Sequence, residues 1–171
     1  GSKSTAIGTF ALETQNFTSA TDALNTAVGY YAGLSVSTGI KNTLIGGLAG
    51  DALTDADFNV AVGQSALSAD TLGSRSVAIG SSALASQNFT SATDAFNTAV
   101  GHVAGYAITT GTSNTLIGGQ AGDAITTASN NTALGFGSLG ATTTGRDNTA
   151  VGYSAAATNT TGVENVAMGM Y

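Results

Sequence analysis

The amino-acid sequence predicts an all-β protein, a β-solenoid (β-roll) of about ten turns of 17 residues. Two observations predict this fold: a short motif that recurs at near-constant spacing, and the amino-acid composition. The chain has 171 residues, with 24 glycines and no proline, cysteine or tryptophan. Leu, Ile, Val and Phe together number 35, which is few for one thick globular core. A repetitive structure whose units lean on their neighbours needs fewer bulky residues.

The motif reads Asn/Ser-x-Ala/Leu-aliphatic-Gly and occurs ten times. Its copies end at Gly8, Gly29, Gly46, Gly63, Gly80, Gly101, Gly118, Gly135, Gly152 and Gly169. Seven of the nine spacings are 17 residues and two are 21, because two units carry the same insertion, within TQNFTSATDAL (14–24) and SQNFTSATDAF (86–96). Residues 15–26 thus recur at 87–98, an offset of 72. Such regular spacing argues against a disordered low-complexity chain.

The first strand of each unit is predicted to run through the motif. Its fourth position is always bulky and apolar, and mostly β-branched, which is typical of strands. We therefore expect a buried core ladder made of Ile7, Val28, Ile45, Val62, Ile79, Val100, Ile117, Leu134, Val151 and Met168. The second position, Thr or Val, lies on the same face because side chains alternate with a period of two. The constant glycine indicates a bend or a close backbone approach.

A second short strand is expected three residues past the glycine, where small residues recur. This column is Ala11, Ala32, Ala49, Ala66, Ala83, Ala104, Ala121, Ser138 and Ala155. Leu44 and Leu116 replace the usual alanine of the motif, and Gly47 and Gly119 follow in the same units, which we interpret as compensation in a tight interior. The first motif position is Asn in eight of ten copies, and stacked Asn side chains can form an amide ladder.

Stacking of the units at about 4.8 Å would give a rod about 48 Å long. The inward set of side chains is thin, and the alanine and glycine columns offer a surface for close approach. We therefore expect three rolls to pack as an intertwined or side-by-side homotrimer; a monomeric solenoid is the alternative. Residues 1–3 are predicted to be a tag or linker. Residues 4–171 form a single repetitive β-roll domain, with long repeats at approximately 4–75 and 76–147 and final turns at 148–171.

The charge balance excludes several classes of partner. Four basic residues, Lys3, Lys41, Arg75 and Arg146, oppose ten acidic ones, for a net charge of −6. The sequence shows no basic patch, so we expect no nucleic-acid partner and no polybasic membrane anchor. No apolar stretch reaches the length of a membrane-spanning helix, so no membrane insertion is expected in this segment.

Residues able to support catalysis are sparse, and we expect no enzyme, no cofactor and no metal site. The single histidine, His102, has no Cys or second His to share a metal. The runs IGGLAGDAL (45–53) and IGGQAGDAI (117–125) are similar to calcium-binding nonapeptides of β-helices, but their spacing differs. Solvated turn carboxylates are therefore expected there.

Aromatic residues near the variable column after the motif glycine are the candidate ligand-facing groups, because exposed rings can stack on sugars. They are Tyr30, Tyr31, Tyr106, Phe136 and Tyr153, with His102 among them. The alternative is that they pack over neighbouring chains.

The repeated insertion is interpreted as a loop in which Phe17 and Phe89 cover the end of a sheet while Leu24 and Phe96 join the core. A lateral binding loop is its alternative.

Three segments, STAIGTFALET (4–14), NVAVGQSALSA (59–69) and SVAIGSSALAS (76–86), resemble the head repeats of trimeric autotransporter adhesins, the YadA-type or haemagglutinin head. NTAVGYYAG, NTLIGGLAGDAL and NTALGFGSLGATTTG resemble shaft repeats of phage tail fibres and bacterial surface fibres that end in an endosialidase-type chaperone domain. The resemblance covers residues 4–171. The 17-residue unit is longer than the usual head repeat and the 21-residue units are a further departure, which favours the phage-type or mosaic surface fibre.

The resemblance implies a homotrimeric fibre segment of stacked β-rolls, extracellular on a cell surface or virion. It further implies adhesion or recognition of a host or prey cell, with a cell-surface glycan or another surface receptor as partner. Two other classes are alternatives. An ice- or crystal-surface binder would need a flat, two-column Thr array, whereas here one Thr column is interrupted by Val. A non-catalytic shaft of a polysaccharide-degrading tailspike is the other; the tailspike itself would need paired carboxylates.

Overall fold

The computed structural model describes residues 3–170; Gly1 and Ser2 of the predicted tag, and Tyr171, lie outside the described residues. The described part of the chain contains twelve short strands and no helix. The strands are β1 (Thr5–Ile7), β2 (Thr26–Val28), β3 (Thr43–Ile45), β4 (Val60–Val62), β5 (Gly73–Ser74), β6 (Val77–Ile79), β7 (Thr93–Asp94), β8 (Thr98–Val100), β9 (Thr115–Ile117), β10 (Thr132–Leu134), β11 (Thr149–Val151) and β12 (Val166–Met168).

Ten of these strands, one from each motif copy, form a single parallel sheet in chain order. Neighbouring strands pair without a register shift, so that Leu44 lies opposite Ala27 and Ile45 opposite Val28. The remaining two, β5 and β7, form a small parallel pair where the second insertion packs on the preceding turn. The predicted all-β solenoid of about ten turns is thereby confirmed.

The inward face of the sheet carries the third motif position, not the fourth. Alanine or leucine at this position is fully buried from β2 to β11, as at Ala27 and Leu44. The prediction that the fourth position forms a buried core ladder is therefore wrong. Its members lie on the outward side of the sheet: Ile7, Val28, Ile45, Val62, Ile79, Val100, Ile117, Leu134, Val151 and Met168. Ile45 is 38% exposed, and Met168 at the end of the roll is 77% exposed.

The width of the roll explains this inversion. The space between the sheet and the opposite wall admits an alanine side chain, or a leucine where a glycine faces it. A Cβ atom placed on Gly50 would lie 2.7 Å from Leu44 Cδ2. Because side chains alternate along a strand, filling the interior with the third position sends the bulkier β-branched second and fourth positions outward.

The wall opposite the sheet is built from tight turns, so the predicted second strand is wrong. Its small column is buried as expected, with Ala32 and Ala49 fully enclosed. The flanking residues adopt left-handed backbone conformations, with φ of 60° at Phe10 and 51° at Leu12, which interrupts an extended strand. Successive turns still hydrogen-bond, as where the Gly33 N–H donates to the Ala49 carbonyl at 2.9 Å.

In eight of the nine turns that follow a motif glycine from Gly8 to Gly152, one large side chain fills the interior on this wall, from either of two positions three residues apart. Where the first is leucine the second is polar, as in Leu12/Gln15, Leu67/Asp70, Leu84/Gln87 and Leu139/Thr142. Where the first is glycine the second is aliphatic, as in Gly33/Val36, Gly50/Leu53, Gly105/Ile108 and Gly122/Ile125. These glycines make room for the strand leucines. The compensation assigned to Gly47 is wrong, since a Cβ there would meet only the Tyr30 carbonyl, at 3.9 Å.

Buried asparagines connect the start of each strand to the next turn. Asn42 Oδ1 accepts a hydrogen bond from the Asn59 N–H at 2.9 Å, and Asn42 Nδ2 donates to the Ala56 carbonyl at 2.7 Å. The same pair of bonds recurs at Asn25, Asn59, Asn97, Asn114, Asn131 and Asn148. The predicted ladder is thus confirmed, although most of its bonds run from side chain to backbone.

Serine replaces asparagine only in the two units that carry the insertion, and a glutamine of the insertion bridges the break. Gln87 Nε2 donates to Ser76 Oγ at 3.1 Å, and Gln87 Oε1 accepts from Asn97 Nδ2 at 2.9 Å. Gln15 joins Ser4 to Asn25 in the first copy. The serine at the first motif position, the glutamine and the four-residue insertion therefore occur as one set, in which the glutamine connects the serine to the next asparagine of the ladder.

The second insertion packs against a buried carboxylate of the preceding turn. Asp70 is fully buried and accepts hydrogen bonds from the Phe89 N–H at 3.1 Å and from Gln87 Nε2 at 2.6 Å. Phe89 is only 6% exposed, as the loop interpretation expected. The same interpretation is wrong for Leu24 and Phe96, which are largely exposed on a corner of the roll.

Candidate functional site

The outward side of the parallel sheet is a uniform surface, which we call the outer face. It consists of two in-register columns on β2–β4, β6 and β8–β11: Thr26, Thr43, Val60, Val77, Thr98, Thr115, Thr132 and Thr149, beside Val28, Ile45, Val62, Ile79, Val100, Ile117, Leu134 and Val151. Eight strands at about 4.8 Å make a strip about 34 Å long.

The outer face carries no charged side chain, and no part of the described chain covers it. Its aliphatic column is part-exposed throughout, with Ile117 at 39% and Leu134 at 45%. A continuous apolar strip of this kind is uncommon on a monomeric protein and is typical of an interaction surface. The arrangement can pack flat against another apolar sheet face or against an ordered solid surface.

Four of the six sequence-predicted ligand-facing residues fall into two clusters at the corner that follows the motif glycine. The Tyr30 and Tyr31 rings stack with centroids 4.0 Å apart, and Phe10, which the sequence analysis missed, lies 5.2 Å from Tyr31. Phe136 and Tyr153 stack at 5.6 Å. The remaining exposed aromatic surface of each cluster can contact a sugar or a neighbouring chain.

His102 and Tyr106 are exposed in the unit between these clusters and, among the described residues, stack on neither of them.

Tyr30 changes the acidity of the neighbouring Tyr31 hydroxyl. Through a side-chain hydrogen bond and its charge, it raises the pKa of the Tyr31 hydroxyl above the ordinary 10.0. The Tyr31 phenol therefore stays neutral at neutral pH and can still donate or accept a hydrogen bond.

A further cluster, which the sequence analysis missed, lies on the corner just before each strand. We call it the basic–aromatic ridge, and it consists of Lys3, Leu24, Lys41, Phe58, Arg75 and Phe96, the residues immediately before the first position of six successive motif copies. Lys41 Nζ lies 4.9 Å and the Arg75 guanidinium carbon 4.7 Å from the centroid of the Phe58 ring. Aligning the column that precedes the motif would have revealed it.

Each of the two glycine-rich runs, 45–53 and 117–125, places one aspartate on the wall of turns opposite the sheet. Burial raises the pKa of the Asp51 and Asp123 carboxyls above the ordinary 3.8, against a smaller opposite effect of backbone hydrogen bonds. Asp51 Oδ1 is buried and accepts no hydrogen bond. Within residues 3–170, no group of three or more His, Cys, Asp or Glu side chains is placed to hold a metal ion.

Comparison of the chain with protein-family models, curated proteins and solved structures finds no match. In the described part of the chain, no helix has the length and apolarity needed to cross a membrane. Function is therefore argued from the surfaces of the solenoid itself.

Proposed function

We propose that this chain is a segment of a homotrimeric fibre on a bacterial or phage surface, with a structural and adhesive role in attachment or in recognition of a host or prey cell. The observation that carries the proposal is the outer face: a straight, in-register, uncharged strip of Thr, Val and Ile that spans the length of the roll. Exposed strips of this kind mark interaction surfaces on soluble proteins.

Burial on this face is energetically substantial. Each aliphatic side chain that moves from partial exposure to full burial contributes about 25 cal/mol for every Å² removed from water. Eight such side chains per chain add up cooperatively because they lie on one rigid sheet. In-register stacking also presents the same chemistry at every level, so identical chains can pack side by side without local mismatch.

Three chains are proposed because the repeats resemble those of trimeric fibres. The outer face is two side chains wide, and three narrow faces of this kind can enclose a common axis. The aromatic clusters and the basic–aromatic ridge lie at the two edges of the face, where they can contact a glycan or another surface receptor.

The decisive measurement is the solution mass of the protein by sedimentation equilibrium. A species of three times the 16.6 kDa chain is expected. A clean monomer across the accessible concentration range would overturn the fibre assembly. A glycan array probed with the same material tests the adhesive role, for which retention of a defined glycan class is expected.

An ice- or crystal-surface binder is the second candidate, favoured by one observation. The Thr column, including Thr98, Thr115 and Thr132, points outward beside the aliphatic column, so hydroxyl and methyl groups form a regular array. This function requires the outer face to be free. Thermal hysteresis from a monomeric species would support it, and a trimer without hysteresis would rule it out.

A further inference from the structure

The basic–aromatic ridge alternates in charge along the axis of the roll. From Lys3 to Phe96, a basic residue and a bulky apolar residue follow each other at six successive turns. Three of the four basic residues of the chain are concentrated on this one corner. Further along, the same column changes to Ser113, Asn130, Asp147 and Glu164, so the pattern belongs to the first half of the roll.

The side chains at these positions lie on a backbone conformation that favours glycine. Lys41, Phe58 and Arg75 have φ of 59°, 59° and 63°, a left-handed conformation that glycine adopts most easily. The chain has 24 glycines, yet none of the ten units places one at this corner. The backbone conformation holds each side chain outward from a rigid, hydrogen-bonded turn.

Contacts on the ridge order the charged groups. Phe58 lies between Lys41 and Arg75, and its ring holds both cations by cation–π attraction. Arg75 Nε pairs with Asp94 Oδ1 at 2.9 Å, which fixes the guanidinium. The Asp57 carboxylate is engaged by the Ile40 N–H at 2.7 Å. Within the described residues Lys41 has no ion-pair partner.

The spacing of the ridge matches an extended sugar chain that runs parallel to the axis. Cations two turns apart are separated by about 9.6 Å, twice the inter-strand spacing, which is close to the length of two sugars in an extended polysaccharide. The apolar residue between them faces the intervening sugar. Lysine and arginine bind carboxylates by charge-assisted hydrogen bonds, and the exposed edge of a phenylalanine ring suits the C–H surface of a neutral pyranose.

We propose that the basic–aromatic ridge binds a linear acidic polysaccharide in which a carboxylated sugar alternates with a neutral one. This proposal names the ligand class for the adhesive part of the proposed function. It requires one chain only, so it stands or falls independently of the trimer. The overall charge of −6 makes the site selective, because ligands that carry a charge on every unit are repelled by the rest of the chain.

The test is calorimetric or array-based titration of the full chain with three kinds of probe. Hyaluronan and unsulfated chondroitin alternate a carboxylated with a neutral sugar, alginate is carboxylated on every sugar, and dextran is neutral. Binding to the first kind is expected, with affinity that falls as salt increases. Lys41→Gln and Arg75→Gln should each weaken it about tenfold, which corresponds to about 1.4 kcal/mol. Phe96→Leu should weaken it less.

Arg146→Gln is the matched control, because it removes the same charge from a basic residue that lies off the ridge. It should leave the affinity unchanged. No binding to either alternating polymer, equal binding to alginate, or equal losses in Lys41→Gln and Arg146→Gln would each overturn the proposal. The substituted side chains are exposed, and the thermal midpoint and solution mass of each variant separate a folding or assembly defect from a lost ligand contact.

Discussion

Leu44 and Gly50 form a complementary pair across the interior of the roll. The leucine side chain points inward from β3, and a Cβ atom on the facing glycine would lie 2.7 Å from its Cδ2 atom. Leu116 and Gly122 repeat the pair 72 residues later, where the corresponding distance is 2.8 Å. One position on the strand and two on the opposite wall therefore compete for the same interior space.

Gly50→Ala should destabilise the fold by about 1–3 kcal/mol, because the added methyl group overpacks the interior. Its φ of +56° adds backbone strain for any other residue. Thermal or urea unfolding measures the change. Gly47→Ala, at a glycine with open space beside it, is the control and should change stability far less.

Simultaneous exchange of all three side chains that share the interior space should recover part of the stability that Leu44→Ala removes. In the triple variant Leu44→Ala, Gly50→Leu, Leu53→Thr, the turn acquires the combination found at Ala133, Leu139 and Thr142. We expect its thermal midpoint to exceed that of Leu44→Ala alone, since the new leucine fills the cavity. A triple variant no more stable than the single one would refute the shared-volume account.

The asparagine ladder should be most sensitive in its middle. Asn114 accepts a hydrogen bond from the Asn131 N–H at 3.0 Å and donates one to the Ala128 carbonyl at 2.9 Å. Asn114→Ala leaves both buried backbone groups unpaired, which should cost about 1–3 kcal/mol. Unfolding measurements test this against Thr127→Ala on an exposed turn. Equal stability of the two variants would show that the ladder contributes nothing.

Asp51 should make stability depend on pH in an identifiable direction. Burial raises the pKa of its carboxyl above 3.8, so the folded chain binds the proton more tightly than the unfolded one. Its contribution is therefore most favourable below that pH and is lost as pH rises through the folded pKa. Asp51→Asn should gain stability over the wild type at neutral pH, and the gain should vanish in acid.

The matched variant for this titration is Glu164→Gln, which removes a carboxylate from an exposed corner. Thermal midpoints of both variants and the wild type, followed from acid to neutral pH, isolate the effect of burial. A constant difference between Asp51→Asn and the wild type over the whole range would contradict the assignment.

The solenoid could be predicted from sequence because its units repeat the same local choices. The spacing of the motif glycines fixes the length of a turn, and the asparagine column gives the axis of stacking. The inward face could not be predicted in the same way. Leu44 and Ile45 are adjacent and both apolar, so an alternation of two faces is clear, while the choice between them depends on the width of the roll.

The width of the roll is set by residues that lie outside the motif. The exchange of Gly50 and Leu53 for Leu67 and Asp70 in the next unit shows that a second wall competes for the same interior volume. The ridge was missed for a related reason. Its residues precede the motif and do not share one residue type, so only the alternation of basic and apolar side chains along the column marks them.

Leu116 and Ile117 provide the sharpest test of the outer face, because they are neighbours on β9 and point to opposite sides of one sheet. Leu116→Ala removes a fully buried side chain and should destabilise the chain by about 2–5 kcal/mol. Ile117→Lys places a charge on the outer face. If three outer faces meet at an axis, this variant should sediment as a monomer with an intact β spectrum. If the face is free, its stability should change by about 0.5 kcal/mol or less and its mass should equal that of the wild type, which would exclude the outer face as the assembly surface.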